Sequence, residues 1–270
     1  MAYFKTDSDI HHELNIRCQK ILTHPFLELI KTACFSPSQM ASLCGVKQKL
    51  RGGFLESLGQ AKAMAEAAGK PKLAMALQAN LADERGIDPV TGEPNGHGSH
   101  HSWAQNFYDA LEAEAPGYIN SEELFEGSLY QFNLFRREHD ASLDFIVGMI
   151  MATEKCVPLD FAAWLKAICR AFPSLEIQGK TGPLFFWWDH IKLEEERHLP
   201  DLVDGYLERD PGSRGYNLMP SDILVDDAKD LLEGIDLAIK LRMECYDMLL
   251  AGISASFGKN AACALDAIQQ

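Results

Sequence analysis

The sequence predicts an all-α protein, and three observations support that prediction. Runs in which β-branched and polar residues alternate between turn signals, the pattern of half-buried strands, are almost absent. Alanine, leucine, glutamate, lysine and methionine, which favour helices, are abundant. Proline and glycine recur at the ends of helical patterns. We expect about eight to ten helices in one domain spanning residues 1–270, because no stretch resembles a domain linker.

Start and stop signals define the helices of the N-terminal half. The first helix begins near residue 9 and is disturbed before Pro25, because proline disfavours helical geometry in the preceding residue. Ser36 followed by Pro37 predicts the start of another helix, with proline in its first turn. Two more helices are predicted over about 54–68 and 72–85, the second closed by Gly86.

A loop over 87–99, rich in glycine and proline, separates these helices from the ones that follow. Pro158 predicts a break between two helices, because an interior proline removes a backbone hydrogen bond and clashes with the preceding turn. The helices expected here cover about 100–114, a segment from 121, 141–155, 159–171, the region around 187–198, and about 221–257.

Composition excludes several classes of function. The net charge is −14 and no basic patch is visible, so we expect no binding to nucleic acid. No apolar run approaches the length of a membrane span, and the first residues lack the pattern of a signal peptide. Seven cysteines are scattered without a paired spacing, which indicates reduced thiols. We therefore expect a cytoplasmic protein that does not associate with membranes.

One charged stretch, residues 187–198, has the spacing of a metal site. A helix turns about 100° per residue, so His190, Glu194 and His198 lie within about 80° of one another on one face. Two imidazoles and a carboxylate on one stripe suit a borderline metal such as iron. The alternative is an ordinary charged face in contact with water.

Further candidate ligands stand at helix positions elsewhere. Glu84 ends one helix, His100 and His101 begin the next, and Glu154 lies on a strongly apolar helix. Two-metal carboxylate sites take inward-pointing glutamate and histidine side chains from several helices of a bundle. Each candidate also has a plainer explanation: a surface glutamate, a polar helix cap, or an ion pair of Glu154 with Lys155 or a more distant cation.

The order of these residues resembles that of the haem-oxygenase-like diiron oxidases and oxygenases, which bind two irons and no haem. Residues 83–86 and 99–103 resemble the family's first glutamate and first histidine, and Glu154 with Pro158 resembles its second glutamate. The segment from His190 to Glu194 resembles its third ligand helix. Residues 23–29 and 36–40 are similar to the opening helices of the wider superfamily, which includes thiaminase-II-like and pyrroloquinoline-quinone-synthase-like proteins. The resemblance covers about residues 14–207 and implies a haem-oxygenase-like helical bundle.

The sequence departs from the family pattern in two places. The third ligand helix of the family usually has the spacing His-x3-Asp/Glu-x2-His, whereas His198 stands one residue later. Either His198 approaches from a rotated position, or a π-bulge absorbs the extra residue, in which case Glu195 can replace Glu194. The adjacent pair His100 and His101 leaves the first histidine ambiguous. We prefer His100 because Trp103, three residues on, fits the family pattern.

The resemblance implies an enzyme that uses O2 and two Fe(II) ions per chain to oxidise a small amine, amino acid or fatty acid. Its reaction would be N-oxygenation, desaturation or C–C cleavage, with an external electron donor in some cases, and we expect a homodimer. Two alternatives remain: a metal-free, thiaminase-II-like hydrolase that uses Cys156 or Cys169, and a non-catalytic helical binding module. The implied metal ligands are Glu84, His100, Glu154, His190, Glu194 and His198, with His101 and Glu195 as alternates.

Overall fold

A computed structural model gives the architecture of the chain. It describes residues 3–4, 7–49, 53–96, 98–118, 141–177, 179–193, 197–208 and 223–256. Helices dominate this described part, as predicted. Ten are found in it: α1 (Asp7–Leu22), α2 (Pro25–Thr32), α3 (Pro37–Lys49), α4 (Phe54–Ala67), α5 (Pro71–Arg85), α6 (His100–Glu114), α7 (Leu143–Ala171), α8 (Phe185–Leu193), α9 (Leu199–Tyr206) and α10 (Val225–Ser256). The helix expected from residue 121 lies outside the described residues.

Two short strands were not expected from the sequence. β1 (Tyr3–Phe4) pairs antiparallel with β2 (Ile223–Leu224), which directly precedes α10. Strands of two residues are too short to show the alternating pattern that identifies a strand in a sequence. The pairing joins the N-terminal segment to the start of the last helix.

Side-chain caps begin several of the helices. Nδ1 of His24 accepts a hydrogen bond from the backbone N–H of Phe26 at 3.2 Å, so the residue before Pro25 caps α2. Ser142 accepts from the N–H of Phe145 in the same way at the start of α7. Such caps satisfy N–H groups that have no partner within the helix.

The predicted break at Pro158 is wrong, because α7 runs without interruption from residue 143 to 171. Proline within a helix removes one hydrogen bond and costs about 3 kcal/mol. Helix α7 contacts α1, α2, α4, α8 and α10, among others, and buries residues along its whole length. Tertiary packing on every side therefore outweighs the local preference of one residue.

Helix α9 was also not anticipated from the sequence, although Pro200 suits its first turn.

The two longest helices, α7 and α10, approach each other so closely that only glycine fits at their crossing. A Cβ atom on Gly148 of α7 would lie 2.1 Å from the carbonyl oxygen of Leu231. A Cβ atom on Gly234 of α10 would lie 2.0 Å from the carbonyl oxygen of Phe145. Because both obstacles are backbone atoms, neither can rotate away. The paired glycines thus set the distance between the central helix and its main neighbour.

None of the helices within the described ranges combines the length and the apolar character needed to cross a membrane.

We expect Gly148→Ala to destabilise the protein by about 1–3 kcal/mol, because the added methyl group forces α7 and α10 apart. Gly59→Ala in α4 is the matched control, since a Cβ atom there meets nothing within 4 Å. The control substitution should raise the free energy of unfolding by about 0.5–1 kcal/mol, because alanine favours a helix more than glycine does. Urea unfolding followed by circular dichroism measures both changes, and equal effects at the two positions would contradict the close crossing.

Candidate metal centre

Glu84 and His100 meet although fifteen residues separate them in the chain. Glu84 lies in the last turn of α5, and His100 is the first residue of α6. Oε1 of Glu84 accepts a hydrogen bond from Nδ1 of His100 at 2.9 Å. Ser99 fixes the start of α6 through a reciprocal capping box with Ser102. The position of His100 is therefore set by the helix start as well as by the carboxylate.

A tight turn after α5 brings these two helix ends together. Gly86 ends α5 with φ +70°, in the left-handed region that glycine adopts without strain. A Cβ atom at Gly86 would lie 2.5 Å from the carbonyl carbon of Gly98 and 2.6 Å from the backbone nitrogen of Ser99. The backbone before His100 thus packs directly on the backbone that follows Glu84.

The loop between them is closed by its own hydrogen bonds. The N–H of Asn95 donates to the carbonyl oxygen of Gly86 at 3.0 Å, and the N–H of Asp88 donates to that of Glu93 at 2.8 Å. Oδ1 of Asp88 accepts from the N–H groups of Val90 and Thr91. These bonds organise the loop, so the sequence between the two ligand candidates acts as a short, ordered connection.

His190 reaches the same place from α8. Its Nδ1 donates to the carbonyl oxygen of Phe186 at 2.7 Å, which leaves the lone pair of the neutral ring on Nε2. The centroids of the His190 and His100 rings are 4.3 Å apart. Glu84, His100 and His190 each offer one ligand atom, and these atoms lie within 4.8 Å of one another. A single cation could contact all three.

His100 has one nitrogen that the described part of the chain does not use. The side chain is fully buried, and its Nε2 has no hydrogen-bond partner among the described residues. In the neutral ring, Nδ1 carries the proton that is donated to Glu84 and Nε2 holds the lone pair. A buried histidine oriented by a carboxylate, with its other nitrogen available, is the arrangement found at metal sites.

His198 lies beside this cluster and hydrogen bonds to Asp83. Its Nε2 donates to Oδ2 of Asp83 at 3.1 Å, and Arg197 contacts the same oxygen at 2.9 Å. Burial disfavours the charged form of His198, yet the hydrogen bond to Asp83 and the negative charge of Glu154 raise its pKa. Burial would raise the pKa of Asp83, but His198 and Arg197 lower it. The pair therefore favours imidazolium and carboxylate.

The backbone at residues 197–198 is π-helical, and a π-bulge was one of the two alternatives for the late position of His198. The centroids of the His198 and His100 rings are 6.3 Å apart. His190 and His198 thus both lie near His100.

Glu154 projects from the middle of α7 and is 2% exposed. Its Oε1 accepts a hydrogen bond from the side-chain amide of Asn80, which lies one turn before Glu84 on α5. The negative charge of Glu154 contributes to the raised pKa of His198, so the two side chains interact electrostatically. A carboxylate on this apolar helix is therefore held by α5 and lies next to the histidines.

The remaining candidates are placed differently. His101 is exposed, whereas its neighbour His100 is buried in the cluster. Glu194 and Glu195 lie outside the described residues. Of the eight predicted residues, the structure brings three close enough together to share one ion: Glu84, His100 and His190. Two others are hydrogen bonded to neighbouring side chains, His198 to Asp83 and Glu154 to Asn80.

Sequence reasoning missed three polar residues at this site. Asn80 and Asp83 orient Glu154 and His198, and Asp189 is a partly buried carboxyl group whose pKa is raised by burial. The sequence contained one signal that Asn80 belongs to the site: it stands four residues before Glu84, so the two side chains share a face of α5. No comparable local signal connects Asp83 with His198, since they are far apart in the sequence.

The two cysteines of the hydrolase alternative are poorly suited to act as nucleophiles. Sγ of Cys156 is buried and lies 3.5 Å from Sγ of Cys18. Cys169 is exposed, but partial desolvation raises the pKa of its thiol. A nucleophilic cysteine needs access to substrate and a lowered pKa, and neither residue combines the two.

Comparison with solved structures supports the fold. The chain is similar to the crystal structure of a CADD-like protein of unknown function from Nostoc punctiforme, with a TM-score of 0.62 and 17% sequence identity. The match covers 90% of this chain and 100% of that one. The all-α fold class predicted from the sequence is thereby confirmed, and the two chains share one helical fold. No family model and no curated protein matches the sequence.

Gly86→Ala should separate Glu84 from His100, because the methyl group would clash with backbone atoms of Gly98 and Ser99. The matched control is Gly92→Ala in the same loop, where φ is +73° but a Cβ atom meets nothing within 4 Å. Both changes incur the cost of a left-handed backbone, about 1–2 kcal/mol. We expect Gly86→Ala to lower the unfolding free energy by a further 1–3 kcal/mol or so. Chemical denaturation of the two variants measures the difference, and equal losses would rule out the close approach.

Proposed function

We propose that this chain is an O2-dependent, non-haem diiron oxidoreductase. The observation that supports the proposal best is the buried group of Glu84, His100 and His190, in which Nε2 of His100 has no partner among the described residues. Nitrogen and oxygen donors of this kind suit Fe(II), whereas the absence of thiolate from the group disfavours softer metals.

The residues of the group fit an iron ion. Glu84, His100 and His190 would hold the first ion, with one carboxylate and two neutral imidazoles. The hydrogen bond from Nδ1 of His190 to the carbonyl of Phe186 fixes the tautomer that presents Nε2 of that ring. Glu84 and His100 are hydrogen bonded to each other, and this bond would be replaced by bonds to the ion when both side chains act as ligands. The bound iron would supply redox chemistry with O2.

A second ion would draw on Glu154 and His198, together with Glu194 or Glu195. Here Asn80 and Asp83 act as positioning residues, because they hydrogen bond to the two side chains that would bind the metal. Three carboxylates would offset most of the charge of two divalent cations. His198 must lose its proton to bind iron, so iron uptake at this position should release protons.

Aromatic side chains surround the histidines and limit the access of water. The Phe186 and Phe161 rings lie 4.4 Å and 5.1 Å from the His190 ring, and the Trp103 ring lies 4.9 Å from the His100 ring. An apolar surrounding of this kind lowers the local dielectric constant and tunes the reactivity of a metal site.

The substrate would be a small amine, amino acid or fatty acid, and the reaction N-oxygenation, desaturation or C–C cleavage, with an external electron donor where the reaction needs one. The fold shared with the CADD-like protein supports a helical enzyme of this type, although the name of that protein gives no activity. The hydrolase alternative is disfavoured by the placement of Cys156 and Cys169. The non-catalytic alternative predicts no iron uptake, which the following experiment tests.

The wild-type protein, reconstituted with Fe(II) under anaerobic conditions, should hold roughly two irons per chain. His100→Ala and His190→Ala should each abolish most of this binding, because each removes a neutral nitrogen donor. His101→Ala should leave it unchanged, since His101 is exposed. Iron is measured by elemental analysis after desalting, and circular dichroism verifies the fold. Full iron content in His100→Ala, or none in the wild type, would refute the metal centre.

Glu154→Gln should reduce the iron content to about one per chain, because it removes a ligand of the second ion while retaining the shape of the side chain. Glu56→Gln, at an exposed position on α4, is the matched control and should retain both ions. An iron content of two per chain in Glu154→Gln would remove Glu154 from the site.

Oxygen uptake by the iron-loaded wild type tests the oxidase activity itself. It is followed with an oxygen electrode in the presence of a panel of amino acids and fatty acids.

A further inference from the structure

A second buried polar cluster lies on the other side of the aromatic side chains. Oδ2 of Asp160, on α7, accepts hydrogen bonds from Nζ of Lys47 at 2.8 Å and from Nη1 of Arg242 at 2.9 Å. The Asp160 side chain is 3% exposed, while Lys47 and Arg242 retain 16% and 19% exposure. The cluster is therefore buried at its centre but borders the solvent.

The charges in this cluster do not balance. With Lys47 and Arg242 both protonated, two cations share a single carboxylate oxygen, which leaves a net positive charge in a largely desolvated place. Burial lowers the pKa of the Lys47 ammonium, and the nearby charge of Arg242 acts in the same direction, while Asp160 opposes both. Buried charges normally occur in compensated groups, because an uncompensated charge is costly to remove from water. An additional anion would restore the balance.

Three buried hydrogen-bonding atoms beside the cations have no partner among the described residues. They are Oδ1 of Asp160 and the indole Nε1 atoms of Trp164 and Trp187. Nζ of Lys47 lies 5.0 Å and 5.7 Å from the centroids of these two indole rings, so all three atoms belong to side chains around one ammonium group. Native proteins leave few such atoms unsatisfied, and a concentration of them calls for a specific explanation.

The cluster adjoins the candidate metal centre through a single ring. Nζ of Lys47 lies 4.8 Å from the centroid of the Phe161 ring, and that ring lies 5.1 Å from the ring of His190. Trp187 and His190 are also on the same helix, three residues apart. One aromatic ring thus separates the Lys47 ammonium group from His190.

We propose that Lys47, Asp160 and Arg242, together with the indole N–H groups of Trp164 and Trp187, bind the carboxylate and ammonium groups of a free amino acid. The proposal rests on the function proposed above, in that the amino acid would be the substrate. Its carboxylate would bind at Lys47, Arg242 and the indoles, which are all donors. Its ammonium group would bind at Oδ1 of Asp160, which can only accept when ionised.

Asp160 distinguishes an amino acid from a fatty acid. A fatty acid would supply the missing negative charge, but it has no donor for Oδ1 of Asp160, which would stay buried and unsatisfied. Leaving a buried charged acceptor unpaired is costly, and a site built in this way discriminates against the ligand that lacks the donor. A free amine, conversely, has nothing to offer the two cations.

The first test measures binding to the metal-free and the iron-loaded protein by thermal shift and isothermal titration calorimetry. The probes are the twenty common amino acids, followed by three relatives of the best binder: its decarboxylated amine, its N-acetyl derivative and a fatty acid of similar length. At least one amino acid should raise the melting temperature, and the three relatives should bind at least tenfold more weakly. The absence of any binding amino acid, or equal binding of the fatty acid, would overturn the proposal.

Two pairs of variants locate the site. Lys47→Met should weaken binding about tenfold to a hundredfold, because it removes a charged hydrogen bond. The matched control is Lys70→Met: Lys70 also pairs with a carboxylate, Asp144 at 3.4 Å, and lies over a ring, Tyr206 at 5.1 Å. The control should bind as the wild type does. Equal affinity in Lys47→Met and the wild type would refute the assignment.

Trp164→Phe retains an aromatic ring and removes the indole N–H together with the five-membered ring that carries it, so it provides a test even if Lys47→Met does not fold. It should weaken binding severalfold, whereas Trp188→Phe, at a partly exposed position, should not. Iron content should stay at the wild-type level in all four variants. Iron binding without amino-acid binding would defeat this proposal alone, and amino-acid binding without iron would defeat only the metal centre.

Discussion

Two carboxylates on the buried helix α7 impose the main constraint on this structure. Glu154 and Asp160 are each nearly inaccessible to solvent, and burying an ionised carboxylate without partners costs far more than one helix contact returns. The partners come from three other helices: Asn80 from α5, Lys47 from α3 and Arg242 from α10. The helices around α7 are therefore held in place by polar contacts as well as by apolar packing, and each carboxylate becomes the centre of a polar cluster.

The two clusters are distinct but adjacent. One contains histidines and carboxylates, whose neutral and negative groups can accept a cation. The other contains two cations and indole donors, whose groups can accept an anion. The Phe161 ring lies between them and contacts both Lys47 and His190. The two clusters therefore offer complementary polar groups to the two ends of a small molecule, with one aromatic ring between them.

Local signals predicted the helices well, and they failed where tertiary packing opposed them. The starts of α2 and α6 follow from His24–Pro25 and Ser99, because a cap acts within one turn. Pro158 misled the prediction, since its cost of about 3 kcal/mol is local whereas the burial of α7 on all sides is collective. The pairing of β1 with β2 was also invisible, because its partners are far apart in the chain and only two residues long.

Part of the candidate site could be inferred from spacing, and part could not. The order of glutamates and histidines pointed to Glu84, His100 and His190, which do meet in the structure. Nothing in the spacing shows that Asp83 hydrogen bonds to His198, or that Asn80 donates to Glu154. Those contacts depend on how α5 is rotated against its neighbours, which is decided by the whole set of buried side chains.

By itself the sequence determined the all-α class, the starts and ends of most helices and a set of candidate ligands, because these depend on residues within one or two turns of each other. The tertiary structure buries His100 and exposes His101, in agreement with the preference from the sequence. It alone decided that α7 continues through Pro158 and that Lys47, Asp160 and Arg242 converge. Convergence of this kind follows from the angles and distances at which helices pack, such as the crossing at Gly148 and Gly234. Those quantities arise from long-range contacts that no short stretch of sequence encodes.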